Sequence, residues 1–167
     1  KAKSNYDEWR TFINSKDALM QHVSNNVYWT RAWIVQEVAL AKQVAIWLGT
    51  TSIGLKVMHQ WLDFLWDQDP KIRSSPFSQL ASTWQEGLQN PISLVHLIDY
   101  FRDKQCLDPR DRIFSLLSLV TGDGRELKVD YNVSQAKLAA EVLHQCKGIL
   151  CLCTAILVAQ TLELDKV

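Results

Sequence analysis

The chain has 167 residues, 47% of them hydrophobic and 22% charged. That balance belongs to a folded globular chain, long enough for one domain with its own core, and excludes a disordered one. Eighteen basic residues balance eighteen acidic ones and no dense basic tract occurs, so the electrostatic footprint of a nucleic-acid binder is missing.

Residues 6–23 are expected as a first helix, with Trp9, Phe12, Ile13, Leu19 and Met20 roughly in register. A second helix is expected from about Val27 to Lys42. It is apolar over a wide arc and should be central. The run VAIWL at 44–48 reads as a buried strand ended by Gly49 and two threonines. A third helix should cover about Ile53 to Asp67, with Leu55, Met58, Leu62 and Leu65 on its stripe. Residues 68–78 hold Pro70, Pro76 and three serines and read as a loop. Leu80 to Leu88 suits a short helix. Pro91 opens another, whose apolar face is Leu94, Leu97, Ile98 and Phe101.

Asp108-Pro109-Arg110-Asp111 signals a further helix start. Asp108 can cap, Pro109 fits the first helical position, and Asp111 favours the helix dipole. Ile113, Phe114, Leu116, Leu117 and Val120 supply its buried side, and Gly122-Asp123-Gly124 breaks it. LKVDY at 127–131 reads as a short strand or extended segment. Ser134 caps a helix over about 135–147, Gly148 interrupts, and an apolar helix follows. A lone strand cannot satisfy its own backbone, so VAIWL requires a partner. LKVDY is one candidate and a sheet outside this chain is the other. No repeat or low-complexity tract occurs.

Seven tryptophans are a heavy load and should line a core or a contact surface. Cys106, Cys146, Cys151 and Cys153 have no framework spacing. Reduced, buried thiols are expected, which suits a cytoplasmic location. With His144 the last three give zinc-type ligands but no finger or ribbon spacing, so core positions are the reading and no metal is expected. The segment 149–159, GILCLCTAILV, is too short to span a bilayer, and no signal peptide opens the chain. A buried helix or strand is expected there, and no membrane association. His22, His59, His96 and His144 are spread singly. Neither terminus looks like a natural boundary, which leads us to expect a piece of a larger protein.

The most informative run is WTRAWIVQE at 29–37. A continuous helix would put Trp29, Trp33 and Glu37 along one face. The residues three and four away from Glu37 are Trp33, Ile34, Leu40 and Ala41, all apolar. A carboxylate in such a setting needs a partner or a task. Either Glu37 is half of a buried ion pair, with Arg31, Arg110 or Arg112 as partner, or it is the reactive group of a site.

Three blocks in order resemble the fungal heterokaryon incompatibility (HET) domain. The first supplies Tyr28, Trp29, Arg31, Trp33, Gln36, Glu37, Val38 and Ala39, with Gly49 after VAIWL. The second is the run from Cys106 to Leu119, CLDPRDRIFSLLSL. The third is Val129-Asp130-Tyr131 followed by Ser134. The resemblance covers roughly residues 25–135, with a helical extension over 135–167. The family's earlier aromatic-Leu-Ser-Tyr-x-Trp-Gly and Trp-Ile-Asp-x-x-Cys blocks are not found. The implied fold is therefore mainly α: the helical C-terminal portion of an α/β, Toll/interleukin-receptor-like HET domain, with one or two short strands, as a single domain or fragment over 1–167.

The resemblance implies nonself recognition and programmed cell death signalling through protein partners or self-association. Some Toll/interleukin-receptor-like domains cleave NAD with a glutamate in a Trp-Cys-x-x-Glu helix. Trp33 and Glu37 keep that spacing, although the Cys is replaced by Ile34. By that similarity Glu37 is the candidate catalytic residue and NAD the candidate substrate, with no bound cofactor. A carboxylate beside the ribose would stabilise an oxocarbenium-like transition state. Trp29, Trp33 and Gln36 would shape the pocket. Arg31 would meet a phosphate. Arg110, Asp111 and Arg112 would form a cap with salt bridges or a positive rim. The alternative is a non-catalytic helical interaction module.

Overall fold

The computed structural model describes residues 21–48, 50–66, 74–87, 92–146 and 150–164. Within them the fold is mainly α-helical, with one small two-stranded sheet. The expected first helix lies outside the described residues except for its end, residues 21–24, which are helical.

The expected helix from Val27 to Lys42 is broken in two. A 3₁₀ turn spans Val27–Thr30, capped by Asn26, whose side chain accepts the Tyr28 N–H. Helix α1 is only Ile34–Ala39. Between them Arg31 is extended and forms an isolated parallel bridge with Gln105. The Gln105 N–H donates to the Thr30 carbonyl at 2.6 Å, and the Ala32 N–H donates to the Gln105 carbonyl at 2.9 Å. Bonds to a distant segment thus replace those a continuous helix would make.

Strand β1, Ala45–Leu48, falls where the sequence puts it. Its partner is not 127–131. It is β2, Thr51–Gly54, in a tight antiparallel hairpin that sets Ala45 opposite Gly54 and Leu48 opposite Thr51. The hairpin is not buried on both faces. Val44, Ile46 and Ile53 pack on the core, while Trp47 is 71% exposed. Helix α2, Leu55–Trp66, follows directly and buries Leu55, Met58 and Leu62.

Helix α3 spans Pro76–Glu86, so the expected loop ends sooner and the helix starts before Leu80. Ser75 is its cap, accepting the Ser78 N–H, and Pro76 fills the first turn where no N–H is needed. Helix α4 is Leu94–Tyr100, capped by Ser93, and its expected face of Leu94, Leu97, Ile98 and Phe101 is buried. Helix α5 is a single turn, Asp111–Phe114, continued by a 3₁₀ turn at Leu117–Leu119. The glycine break follows. Gly124 has φ of +95°, and a Cβ there would sit 2.6 Å from the Leu94 Cβ, so no larger residue fits.

Residues 127–131 form no strand and run as irregular chain to a turn. Helix α6, Gln135–Gln145, is capped by Ser134 as expected. Helix α7, Leu152–Thr161, packs on α4 and α6. It is half-buried rather than buried. Thr154, Val158 and Thr161 face inward, and Leu152 is 77% exposed. The thiols divide accordingly: Cys146 is buried and Cys106 half-buried, but Cys151 and Cys153 are exposed. A helix packed by one face leaves the other to solvent, however apolar its sequence. Among the described residues no helix is long and apolar enough to cross a membrane. One core joins Trp29, Val35, Met58, Phe77, Leu97 and Phe114 with residues from every layer.

Candidate functional site

The break at Arg31 decides where the residues of the first block go. Trp29 is buried. Its ring lies 4.8 Å from that of Phe77, and its indole N–H donates to the Val23 carbonyl at 2.7 Å. Trp33 packs partly buried against the core, and Gln36 is half-buried. Glu37 does not share a face with Trp29. It lies on the exposed side of α1, opposite the buried Ile34, Val35 and Val38. The apolar surround expected from its sequence neighbours does not form. Of the four, only Ile34 is buried; Trp33 and Ala41 are half-buried and Leu40 is 55% exposed, so they do not enclose Glu37.

Glu37 accepts a long hydrogen bond, 3.4 Å, from the Tyr28 hydroxyl. The Arg31 guanidinium stands 5.6 Å from the Tyr28 ring centre. Partial burial, then the nearby Glu37 charge, push the Tyr28 phenol above its usual range. The expected buried ion pair is not formed: among the described residues Glu37 has no salt bridge to Arg31, Arg110 or Arg112. Glu37 lines neither the cleft bordered by Lys104, nor the one between α4 and α7, nor the one around Gly124 and His144.

The arginines of the second block are committed to the fold. Arg110 grips Asp108 with two nitrogens, Nε at 2.9 Å and the terminal nitrogen at 2.6 Å. Its other terminal nitrogen donates to the carbonyls of Tyr131, at 2.6 Å, and Val133, at 2.9 Å. The guanidinium also faces the Tyr131 ring at 5.3 Å. The hydrogen bonds from Arg110 hold the Asp108 carboxyl below its ordinary range. Asp111 accepts the Tyr131 hydroxyl, and that bond is the main reason the phenol is pushed up to about 12. Arg112 reaches the other way. It donates to the Lys104 carbonyl at 3.2 Å, the Thr161 carbonyl at 2.9 Å and Glu163 at 3.0 Å. The salt-bridge half of the cap-and-salt-bridge reading fits this cluster; the cap does not, because α5 starts at Asp111 after Arg110, which makes no side-chain cap bond. A rim of free positive charge does not fit either.

One residue carries no signal in the sequence. Lys104 is 4% exposed, yet its Nζ donates to the Trp29 carbonyl at 2.8 Å and lies 5.9 Å from the Phe101 ring centre. Burial lowers its pKa to about 8. It also borders a cleft of about 500 Å³ lined by Ser74, Ser78, Ser82, Gln79 and Tyr100.

Together these bonds tie the three sequence blocks into one knot. Gln105 fills the break in the first block, Lys104 holds its Trp29 carbonyl, Arg112 holds Lys104, and Arg110 holds the third block. The knot positions backbone. Its arginines, Arg110 and Arg112, are engaged by backbone carbonyls and carboxylates, while Arg31 stays exposed against the Tyr28 ring. Among the described residues no group of three or more His, Cys, Asp or Glu gathers for a metal. Compared with protein-family models, curated proteins and solved structures, the chain matches none.

Proposed function

We propose that this chain is the helical part of a HET-like α/β domain and that it acts by protein association in nonself-recognition and cell-death signalling in the fungal cytoplasm. The observation that carries the reading is the knot itself. The three blocks on which the resemblance rests are joined through Gln105, Lys104, Arg110 and Arg112, which is what a shared structural signature requires. Association is favoured over NAD cleavage by the setting of Glu37. It is exposed, bonded to Tyr28, whose ring Arg31 faces, and stands one helical turn before exposed Leu40. Apolar groups mixed with a few charges suit a protein contact. An NAD-cleaving carboxylate works inside a water-excluding pocket.

The test is NAD turnover by the wild-type chain and Glu37→Gln, run at several concentrations beside light scattering. Absent turnover with concentration-dependent association, weakened by Tyr28→Ala, is the expected result. Turnover that vanishes in Glu37→Gln would return Glu37 to catalysis. A strictly monomeric chain that induces no growth arrest when expressed in a filamentous fungus would overturn the signalling reading.

A further inference from the structure

The thiols of Cys151 and Cys153 are used by nothing above, and their placement is specific. Both are exposed. Cys151 is the N-cap of α7, extended at φ −140° and ψ 173°, so its sulfur turns back over the first turn of the helix. There it accepts the Thr154 N–H at 3.4 Å and lies 3.3 Å from the Thr154 hydroxyl. Cys153 opens onto a cleft of about 500 Å³ between α4 and α7, lined also by His96, Arg102 and Gln160.

We infer that Cys151 and Cys153 form a peroxide-reactive dithiol, with Cys151 as the attacking sulfur and Cys153 as the resolving one. Three features support it. Donors already aimed at the Cys151 sulfur stabilise a thiolate, and hydrogen bonds from Thr154 hold this thiol below its ordinary range. The second thiol stands two residues away in the chain and is also exposed at the start of α7. The other two cysteines are guarded, since burial pushes both the Cys106 and the Cys146 thiol up.

The chemistry balances with a hydroperoxide as oxidant. The Cys151 thiolate attacks the terminal oxygen, the O–O bond breaks, and the alkoxide leaves and takes up a proton as alcohol (water, for hydrogen peroxide). Cys151 is then a sulfenic acid. The Cys153 sulfur attacks it, the S–S bond forms and the S–O bond breaks. Hydroxide departs with the Cys153 proton as water. Two electrons have passed from the thiol pair to the peroxide.

The experiment treats the intact chain with substoichiometric hydrogen peroxide and maps the products by mass spectrometry, with dimedone present to trap sulfenic acid. A disulfide within one chain, loss of two hydrogens on the Cys151–Cys153 peptide, is expected first, with Cys106 and Cys146 unmodified. Cys153→Ser should instead give a dimedone adduct on Cys151. Thr154→Val should slow Cys151 by about tenfold and move its pH–rate profile upward. Thr154→Ser, which keeps the hydroxyl, should restore both, and circular dichroism on the pair shows that any loss is not unfolding. Equal rates at Cys151 and Cys153, rates matching the urea-unfolded chain, or a disulfide linking two chains would overturn the inference.

Discussion

The Lys104 ammonium donates to the main-chain carbonyl of Trp29 at 2.8 Å, across 75 positions of sequence. It pins the first signature block to the turn that leads into the second. A lysine so buried without a carboxylate in contact is an electrostatic cost accepted for position. That cost makes the fold sensitive to pH.

Lys104 titrates near 8 when folded and near the ordinary lysine value when unfolded. Between those values the unfolded chain binds more protons, so stability rises with pH from about 8 to about 10.5. Tyr131 has the opposite sign. Its folded value, about 12, lies above the unfolded one, so its contribution is complete below about pH 10 and is lost between about 10 and 12. Urea titrations from pH 7 to 11 should show a rise that turns over near pH 10. Lys104→Met should flatten the rising limb. An unchanged limb in that variant would show that another group causes it.

Arg110 is the brace of the third block. Arg110→Ala removes its grip on Asp108 and two carbonyl contacts at a half-buried position. The expected outcome is a lower urea midpoint than wild type, because charge-assisted hydrogen bonds are lost together with the brace on two carbonyls. Arg110→Lys should recover only part of the difference, because an ammonium cannot fork. A variant of full stability with weakened nucleotide binding would instead favour a positive rim.

Gly124 and Gly54 make a matched pair. At Gly124 the backbone has φ of +95° and an added Cβ meets Leu94, whereas at Gly54 nothing lies within 4 Å. Gly124→Ala should destabilise by about 2 kcal/mol or more, whereas Gly54→Ala should be neutral or stabilising by up to about 1 kcal/mol. Thermal melts of both are the measurement. Similar values would place Leu94 and Gly124 farther apart than described.

Glu37→Gln should leave stability within about 0.5 kcal/mol of wild type, since the group is exposed and its one described bond is long, 3.4 Å. A loss of several kcal/mol in the same melt would reveal a buried partner for the carboxylate.

Local chemistry was legible from the residues. The α4 face, the Ser134 cap, the β1 run and the glycine turn all stand where their side chains put them, because caps, turns and periodicity act within a few residues. The Ser75-Pro76 start of α3 carries the same local cap-and-proline signal, set within a serine-rich stretch that reads as a loop. The environment of Glu37 was not readable. It depended on whether residues 27–42 form one helix, and that was settled by Gln105, more than seventy positions on.

By itself, then, the sequence determined a mainly helical chain with its caps and turns. Only the tertiary structure decided that Arg31 is extended, that Glu37 faces solvent, that Arg110 and Arg112 brace backbone, and that Cys151 and Cys153 are exposed together. The reason is physical. Propensity and capping are local energies of about 1 kcal/mol, and a few long-range hydrogen bonds to a buried carbonyl or amide outweigh them.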